Sequence, residues 1–148
     1  MCQNFTDFDV FHTQDDVNVR YVMRGEEIGN PDILIIPGSK NTIEDLIYLR
    51  NTGLEKQILE LKKAGKIIAG ICGGFQILGR KIHDPHHSET SIDSINGIGI
   101  LDVETVFDTE KTTTQVEGKI IAKEGCFGEF NDQSIYGYEI HMGETRLL

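Results

Sequence analysis

A cysteine surrounded by three glycines is the part of this sequence best suited to chemistry. The stretch Gly70-Ile71-Cys72-Gly73-Gly74 has the form Gly-x-nucleophile-x-Gly, which is typical of a tight, strained turn between a strand and a helix. Such a turn exposes its nucleophile at the carboxyl edge of the sheet, and a helix start favours the reactive thiolate. A buried structural cysteine on a glycine-rich turn is the alternative. The apolar run before Cys72 and the helix-like segment after it favour a catalytic nucleophile.

Two backbone amides could stabilise the oxyanion that forms when a thiolate attacks a carbonyl group. The amide of Gly73 directly follows the nucleophile and is expected to point at that developing charge. A second donor could come from Gly38 or Ser39, because parallel neighbouring strands would bring the turn IIPGSKNT close to Cys72. The same Pro-Gly-Ser stretch also fits a turn that only ends a strand, and both interpretations stay open.

A nucleophilic thiol usually needs a base, and the chain has five histidines. His12 lies in a polar N-terminal segment, while His83, His86 and His87 lie in a polar stretch without a partner at metal-ligand spacing, so no metal site is predicted. His141, in GYEIHMGE, follows a strand-like segment and lies between glycines that permit close backbone approach. We take His141 as the candidate base, with a structural role as the open alternative.

Two strand–helix units are predicted to position the cysteine. ILIIPG (33–38) and KIIAGI (66–71) are apolar runs stopped by Pro or Gly, a pattern typical of strands buried on both faces of a parallel sheet. The first run precedes two helical patterns, one capped by Asn41 or Thr42 and ended by Gly53, the other spanning LEKQILELKKAG. The second precedes GFQILGRKI, which is predicted to be helical.

The other segments complete a predicted α/β fold. VNVRYVM (17–23) alternates apolar and polar residues and predicts a strand, whereas 83–96 is polar and predicts an exposed loop. After Gly97, three stretches rich in Val, Ile, Thr and Tyr predict added strands, partly antiparallel. Successive strand–helix units imply right-handed crossovers and a mostly parallel central sheet with helices on both faces.

Composition excludes several classes of protein. The 148 residues suit one domain, and the formal net charge of -10 disfavours a nucleic-acid binder or an anionic membrane surface. Three widely spaced cysteines predict no disulfide framework and favour a reducing cytoplasm. The polar, acidic N-terminus is unlike a signal peptide, and no apolar run approaches the ~18 residues of a membrane span.

Several motifs, in order, resemble the glutamine amidotransferase domains of cobyric acid synthases, and the resemblance spans nearly the whole chain. These motifs are NFTDFD, PDILIIPGSKNTIEDLIYLRNTGL, GICGGFQILGRKI with Asp84-Pro85, GIGILDVETVFDTEKTT and GYEIHMGETR. The resemblance implies a flavodoxin-like, three-layer class I amidotransferase fold. It also implies that Cys72 attacks the side-chain amide of glutamine through a thioester, with Gly38 and Gly73 as oxyanion donors and Gln76 near the bound glutamine.

The resemblance implies partners and also shows departures. The ammonia would amidate corrinoid carboxylates that ATP activates, with Mg²⁺, in a synthetase domain or subunit; no Walker-type loop occurs here, so no cofactor is expected in this domain. Residues 1–148 are expected to be a single domain lacking the family's first strand and its C-terminal strands. The family's usual base, in a later Tyr-Leu-His-Gly stretch, is absent from this sequence, which leaves His141 resembling a histidine that lines the site.

Three alternatives stay open. A related amidotransferase that acts on a cell-wall lipid precursor shares the cysteine turn, although GSKNTIEDL and EIHMG favour the corrinoid branch. The missing base leaves room for a non-catalytic remnant that acts as a binding or scaffold module. A cysteine peptidase of the same fold would have histidine directly after Cys72, where this chain has Gly73.

Overall fold

Two short parallel strands lead to the turn that contains Gly38 and to the turn that contains Cys72. In this computed structural model, residues 5–148 are described, without the side chains of 5–7, 111, 112 and 126. Strand β1 (Ile33–Ile36) pairs in parallel with β2 (Ile67–Gly70), so that Ile36 lies opposite Gly70. The amide of Ile71 adds one further hydrogen bond, 3.0 Å long, to the carbonyl oxygen of Ile36. The carboxyl ends of both strands therefore meet at one edge, as predicted.

Two helices follow β1, and their ends are those that the sequence predicts. Helix α1 (Thr42–Asn51) is capped by Asn41, whose side chain accepts a 3.0 Å hydrogen bond from the amide of Glu44. Gly53, with φ 78°, separates it from α2 (Leu54–Lys63). The predicted apolar face of α2 is buried and consists of Leu54, Ile58 and Leu61.

The helix after the cysteine is shorter than predicted. Helix α3 spans Gly73–Leu78 only, and strand β3 (Lys81–His83) follows it, so the prediction of a helix over all of GFQILGRKI is wrong in its second half. A β-carbon at Gly79 would lie 2.9 Å from the carbonyl oxygen of Val103. The chain passes so close to its neighbour there that it leaves the helix and enters the sheet.

A second, mixed sheet holds the remaining strands. Its order is β4 (Ser94–Asn96), β3, β5 (Val103–Lys119) and β6 (Ser134–Leu147). Strands β3 and β5 are parallel and the other pairs antiparallel, which confirms the α/β class with added antiparallel strands. In the described part of the chain, β1 and β2 pair only with each other. The β5–β6 register shifts between Val106 and Lys111. Short 3-10 helices span Phe5–Thr13 and Gly125–Phe130.

Two further predictions are wrong. Residues 17–23 form no strand, because within the described chain no backbone hydrogen bond joins 18–22 to another segment. Of the apolar side chains in this stretch, Val22 packs against the core. The stretch 83–96 is not an exposed loop, because it contains part of β3, all of β4 and a fully buried side chain, Asp84.

One apolar core joins the helices to both sheets. It contains Ile28, Ile36, Ile43, Leu46, Leu54, Ile58, Leu61, Ile77, Leu78, Ile82, Ile98 and Phe107. Ile77 and Leu78 of α3 are almost completely buried in it, so packing anchors the short helix that follows Cys72. Across the described residues, no helix combines the length and apolar character needed to cross a membrane.

Candidate active site

Cys72 occupies a strained turn between β2 and α3. Its backbone has φ 52° and ψ -115°, a conformation that L-residues rarely adopt and that costs of order 1–3 kcal/mol. The residue is exposed. This geometry confirms the predicted strand–turn–helix, in which a strained backbone presents the thiol to solvent.

Gly70 and Gly74 allow the chain to turn this sharply. A β-carbon on Gly70 would lie 2.6 Å from the carbonyl oxygen of Gly74, and one on Gly74 would lie 2.1 Å from the carbonyl oxygen of Ile36. Both clashes are with backbone atoms, which cannot move aside as a side chain can. The turn therefore requires glycine at both positions.

Gly73 lies against the turn that follows β1. A β-carbon on Gly73 would lie 2.8 Å from the β-carbon of Ser39, and one on Gly38 would lie 3.7 Å from the β-carbon of Cys72. The predicted proximity of the two turns is therefore found. In the described part of the chain, the amides of Gly38 and Gly73 donate no hydrogen bond, so both can donate to a bound oxyanion.

The side chain of Ser39 forms hydrogen bonds within its own segment of the chain. Its hydroxyl donates a 2.6 Å hydrogen bond to the carboxylate of Asp45 and accepts one from the amide of Asn41 at 3.1 Å. Gly38 and Ser39 also line a small cavity of about 150 Å³ beside Tyr48. The hydroxyl hydrogen of Ser39 is therefore committed, and the backbone amide is the donor left to act on a substrate.

An open cleft of about 350 Å³ brings Cys72, Gln76 and His141 together. Cys72, Phe75 and Gln76 come from the turn and α3. The facing side comes from β6 and consists of Glu139, Ile140, His141, Glu144 and Thr145. A cleft of this size holds a small ligand. Glu139 and Glu144 were not predicted, although both lie in the quoted GYEIHMGETR motif.

Both ring nitrogens of His141 face oxygen atoms. Nδ1 lies 2.7 Å from the carbonyl oxygen of Gly143, which can only accept, so Nδ1 carries a hydrogen. Nε2 lies 2.5 Å from Oε1 of Glu139. Because Nδ1 already carries a hydrogen, His141 can take a proton from Cys72 only at Nε2, once that nitrogen has left Glu139 and carries no hydrogen.

A buried carboxyl group, that of Asp84, and a partly buried one, that of Glu89, were not predicted. Asp84 accepts hydrogen bonds from the amides of Ser88, Glu89 and Thr90 at 2.6–3.1 Å. Burial alone would raise the pKa of Asp84, but these amides and nearby His87 favour the carboxylate and bring the pKa below its usual value. In Glu89, burial prevails over the hydrogen bonds and raises the pKa. The Asp84-Pro85 pair was the available sequence signal, since Asp before Pro favours a turn.

Asp84→Asn should destabilise the protein at neutral pH by about 1–3 kcal/mol, because an amide presents one acceptor oxygen where the carboxylate presents two. Since the folded-state pKa of Asp84 is lowered, its contribution is present above pH ~3.8 and is lost as the pH falls below that value. Urea unfolding at pH 6 and pH 3 should show a larger difference between wild type and variant at pH 6. Fully exposed Asp32→Asn is the control, and equal differences at both pH values would contradict the prediction.

Comparison with known proteins identifies close relatives. The chain is 53% identical over 143 residues to the cobyric acid synthase of Clostridium botulinum (strain Kyoto / Type A2), covering 97% of this chain and 28% of that protein. It is 50% identical over 145 residues to that of Moorella thermoacetica and 52% identical over 143 residues to that of Alkaliphilus metalliredigens, again covering 28% of each. The chain thus spans little more than a quarter of these relatives.

The resemblance seen in the motifs is confirmed. The family model described as the CobB/CobQ-like glutamine amidotransferase domain matches residues 1–148. The chain therefore belongs to the CobB/CobQ-like glutamine amidotransferase domain family.

Proposed function

We propose that this domain hydrolyses glutamine with Cys72 as the nucleophile and supplies ammonia to a synthetase partner. The observation that carries the proposal is the strained, exposed position of Cys72 beside two backbone amides that donate no hydrogen bond within the described chain. Family membership supports glutamine as the substrate.

The reaction proceeds in two steps. The sulfur of Cys72 bonds to the side-chain amide carbon of glutamine, and the amides of Gly38 and Gly73 stabilise the resulting oxyanion. The carbon–nitrogen bond then breaks, and the nitrogen leaves as ammonia with the proton that the thiol gave up. Water adds to the thioester, the carbon–sulfur bond breaks, and glutamate and the free thiol result. His141 is the candidate proton carrier once it leaves Glu139, and Gln76 contacts the bound glutamine.

The relatives' names and the motifs support a proposal for the acceptor of the ammonia. We propose that ammonia amidates carboxylates of a corrinoid, activated by ATP with Mg²⁺ in a synthetase domain or subunit, as part of cobalamin biosynthesis. The relatives named cobyric acid synthase are more than three times as long as the aligned region, which leaves room for such a domain in those proteins. The cell-wall branch stays the alternative acceptor class.

A glutamine-analogue electrophile tests the proposal directly. We expect 6-diazo-5-oxo-L-norleucine to label Cys72 and to leave Cys2 and Cys126 unlabelled, as read by peptide mass spectrometry. Cys2 lies outside the described residues, and the side chain of Cys126 is not described. Excess L-glutamine should protect Cys72, whereas L-alanine should not. Equal labelling of all three cysteines would overturn the activated nucleophile, and glutamate release no greater than that of Cys72→Ala would favour a non-catalytic module.

A further inference from the structure

The carboxyl group of Glu89 contacts the first turn of α1 from a loop distant in sequence. Its Oε2 accepts a 3.2 Å hydrogen bond from the amide of Ile43, and its Oε1 accepts one of 3.2 Å from the hydroxyl of Thr42. The backbone carbonyl of Glu89 also accepts a 3.1 Å bond from the side chain of Asn41. Glu89 thereby fixes three consecutive residues that follow the Gly38–Ser39 turn.

Thr42 connects this contact to the cysteine turn. It is 2% exposed, and its Oγ1 lies 3.1 Å from the position a β-carbon of Gly73 would take. The same oxygen lies 3.4 Å from Oε1 of Gln76. A hydroxyl has one hydrogen, and the nearer, charged oxygen of Glu89 is its stronger acceptor. Glu89 therefore sets the orientation of a hydroxyl that packs on the residue following Cys72.

Asp84 fixes the loop that presents Glu89. Its side chain is completely buried, and its two oxygens accept the amides of Ser88, Glu89 and Thr90. Because those amides include that of Glu89 itself, the backbone that carries the Glu89 side chain is anchored to the core. Asp84 therefore fixes the backbone of the 84–90 loop, and the side chain of Glu89 joins that loop to α1.

We propose that Glu89 is a positioning residue for the glutamine hydrolysis proposed above. Through Ile43 and Thr42 it holds the turn after β1 against the cysteine turn, and so fixes the separation of the Gly38 and Gly73 amides. The inference rests on the proposed function. Glu89 does not line the cleft, so its effect is on geometry, and a displacement of about 1 Å in such a site can cost about 100-fold in rate.

Two reagents with different demands separate positioning from general stability. With 6-diazo-5-oxo-L-norleucine, sulfur adds to the ketone carbon, whose oxygen becomes an oxyanion, and the diazo carbon takes up the proton of the thiol. Sulfur then shifts to that carbon as N₂ leaves and the ketone re-forms. Iodoacetamide, which loses iodide to the sulfur, reports only thiol access and reactivity. In the full chain, Glu89→Gln should slow labelling of Cys72 by the first reagent about 10- to 100-fold and by iodoacetamide less than about twofold. Glu44→Gln, an exposed acid in the same helix turn, should leave both rates unchanged.

Thr42 supplies a second test should Glu89→Gln unfold, which circular dichroism would reveal. Thr42→Val should reproduce the selective loss of labelling, whereas Thr42→Ser, which keeps the hydroxyl, should label at the wild-type rate. The combined effect of Glu89→Gln and Thr42→Val should be less than the sum of their separate effects, because both remove the contact between Glu89 and Thr42. Equal slowing with both reagents, or no slowing with the first, would overturn the inference while leaving Cys72 as the nucleophile. If the glutamine analogue does not label the wild-type protein, both the role of Cys72 as nucleophile and the role of Glu89 as positioning residue are contradicted.

Discussion

Replacing Cys72 with glycine is expected to abolish glutamine hydrolysis and to raise the free energy of unfolding by about 1 kcal/mol. Activity is lost because the nucleophile is gone, and the rate should fall to background. Stability rises because φ 52° with ψ -115° costs an L-residue of order 1–3 kcal/mol, whereas glycine adopts positive φ readily. The greater freedom of glycine in the unfolded chain removes about 0.5–1 kcal/mol of that gain.

The matched control is Cys72→Ala, which removes the same nucleophile but keeps a β-carbon and therefore the strain. Both variants should release no glutamate above background, while only the glycine variant should unfold at higher urea concentration with an unchanged m-value. A glycine variant no more stable than the alanine variant would show that the turn at Cys72 is not strained in solution. Glutamine hydrolysis retained in either variant would show that Cys72 is not the nucleophile.

Replacing Gly74 with alanine is expected to destabilise the protein by about 3 kcal/mol or more. The new β-carbon would lie 2.1 Å from the carbonyl oxygen of Ile36 and 2.8 Å from that of Pro37. Overpacking usually costs about 1–3 kcal/mol, and more where nothing can relax. Relief requires α3 to move away from β1, which would also displace Cys72 from Gly38. We therefore expect loss of labelling by the glutamine analogue in whatever fraction stays folded.

Gly137→Ala is the control for this change, because no atom lies within 4 Å of the β-carbon it would introduce. Urea unfolding followed by circular dichroism should place Gly137→Ala within about 0.5 kcal/mol of wild type, as is usual for surface substitutions. A Gly74→Ala variant as stable as Gly137→Ala would mean that α3 packs on β1 less closely than the structure indicates.

The parts of the fold predicted best from sequence are those fixed by neighbouring residues. The apolar runs before Pro37 and Gly70 predict β1 and β2, and Asn41 and Gly53 mark the limits of α1, because caps and breakers act over a few residues. The Gly-x-Cys-x-Gly spacing predicts the strained turn for the same reason. Of its three glycines, Gly70 is required by a contact within the motif, whereas Gly73 and Gly74 are required by contacts with the turn after β1 and the end of β1.

Predictions failed where a distant segment decides the outcome. Residues 79–82 look helical by composition, but the backbone of Val103 passes so close to Gly79 that the chain enters the sheet. The alternation in 17–23 needs a partner strand to become a strand, and no such pairing is found among the described residues.

The buried carboxyl group of Asp84 and the partly buried one of Glu89 could not be predicted for a related reason. A polar stretch such as 83–96 is exposed unless donors elsewhere compensate for burial. Here the amides of 88–90 compensate Asp84, and the amide of Ile43 and the hydroxyl of Thr42 compensate Glu89. Those donors lie up to 47 residues away in the chain, so only the folded structure reveals them.

The register shift in β5–β6 divides the side of the cleft that β6 forms. Val106 pairs with Glu144 and Lys111 with Met142, so residues 107–110 face Gly143 alone and stay outside the ladder. Glu139 and His141 lie beyond this shift, whereas Glu144 and Thr145 lie before it, where β5 also pairs with β3. The facing wall of the cleft is thus built from two separately registered parts of one strand, β6.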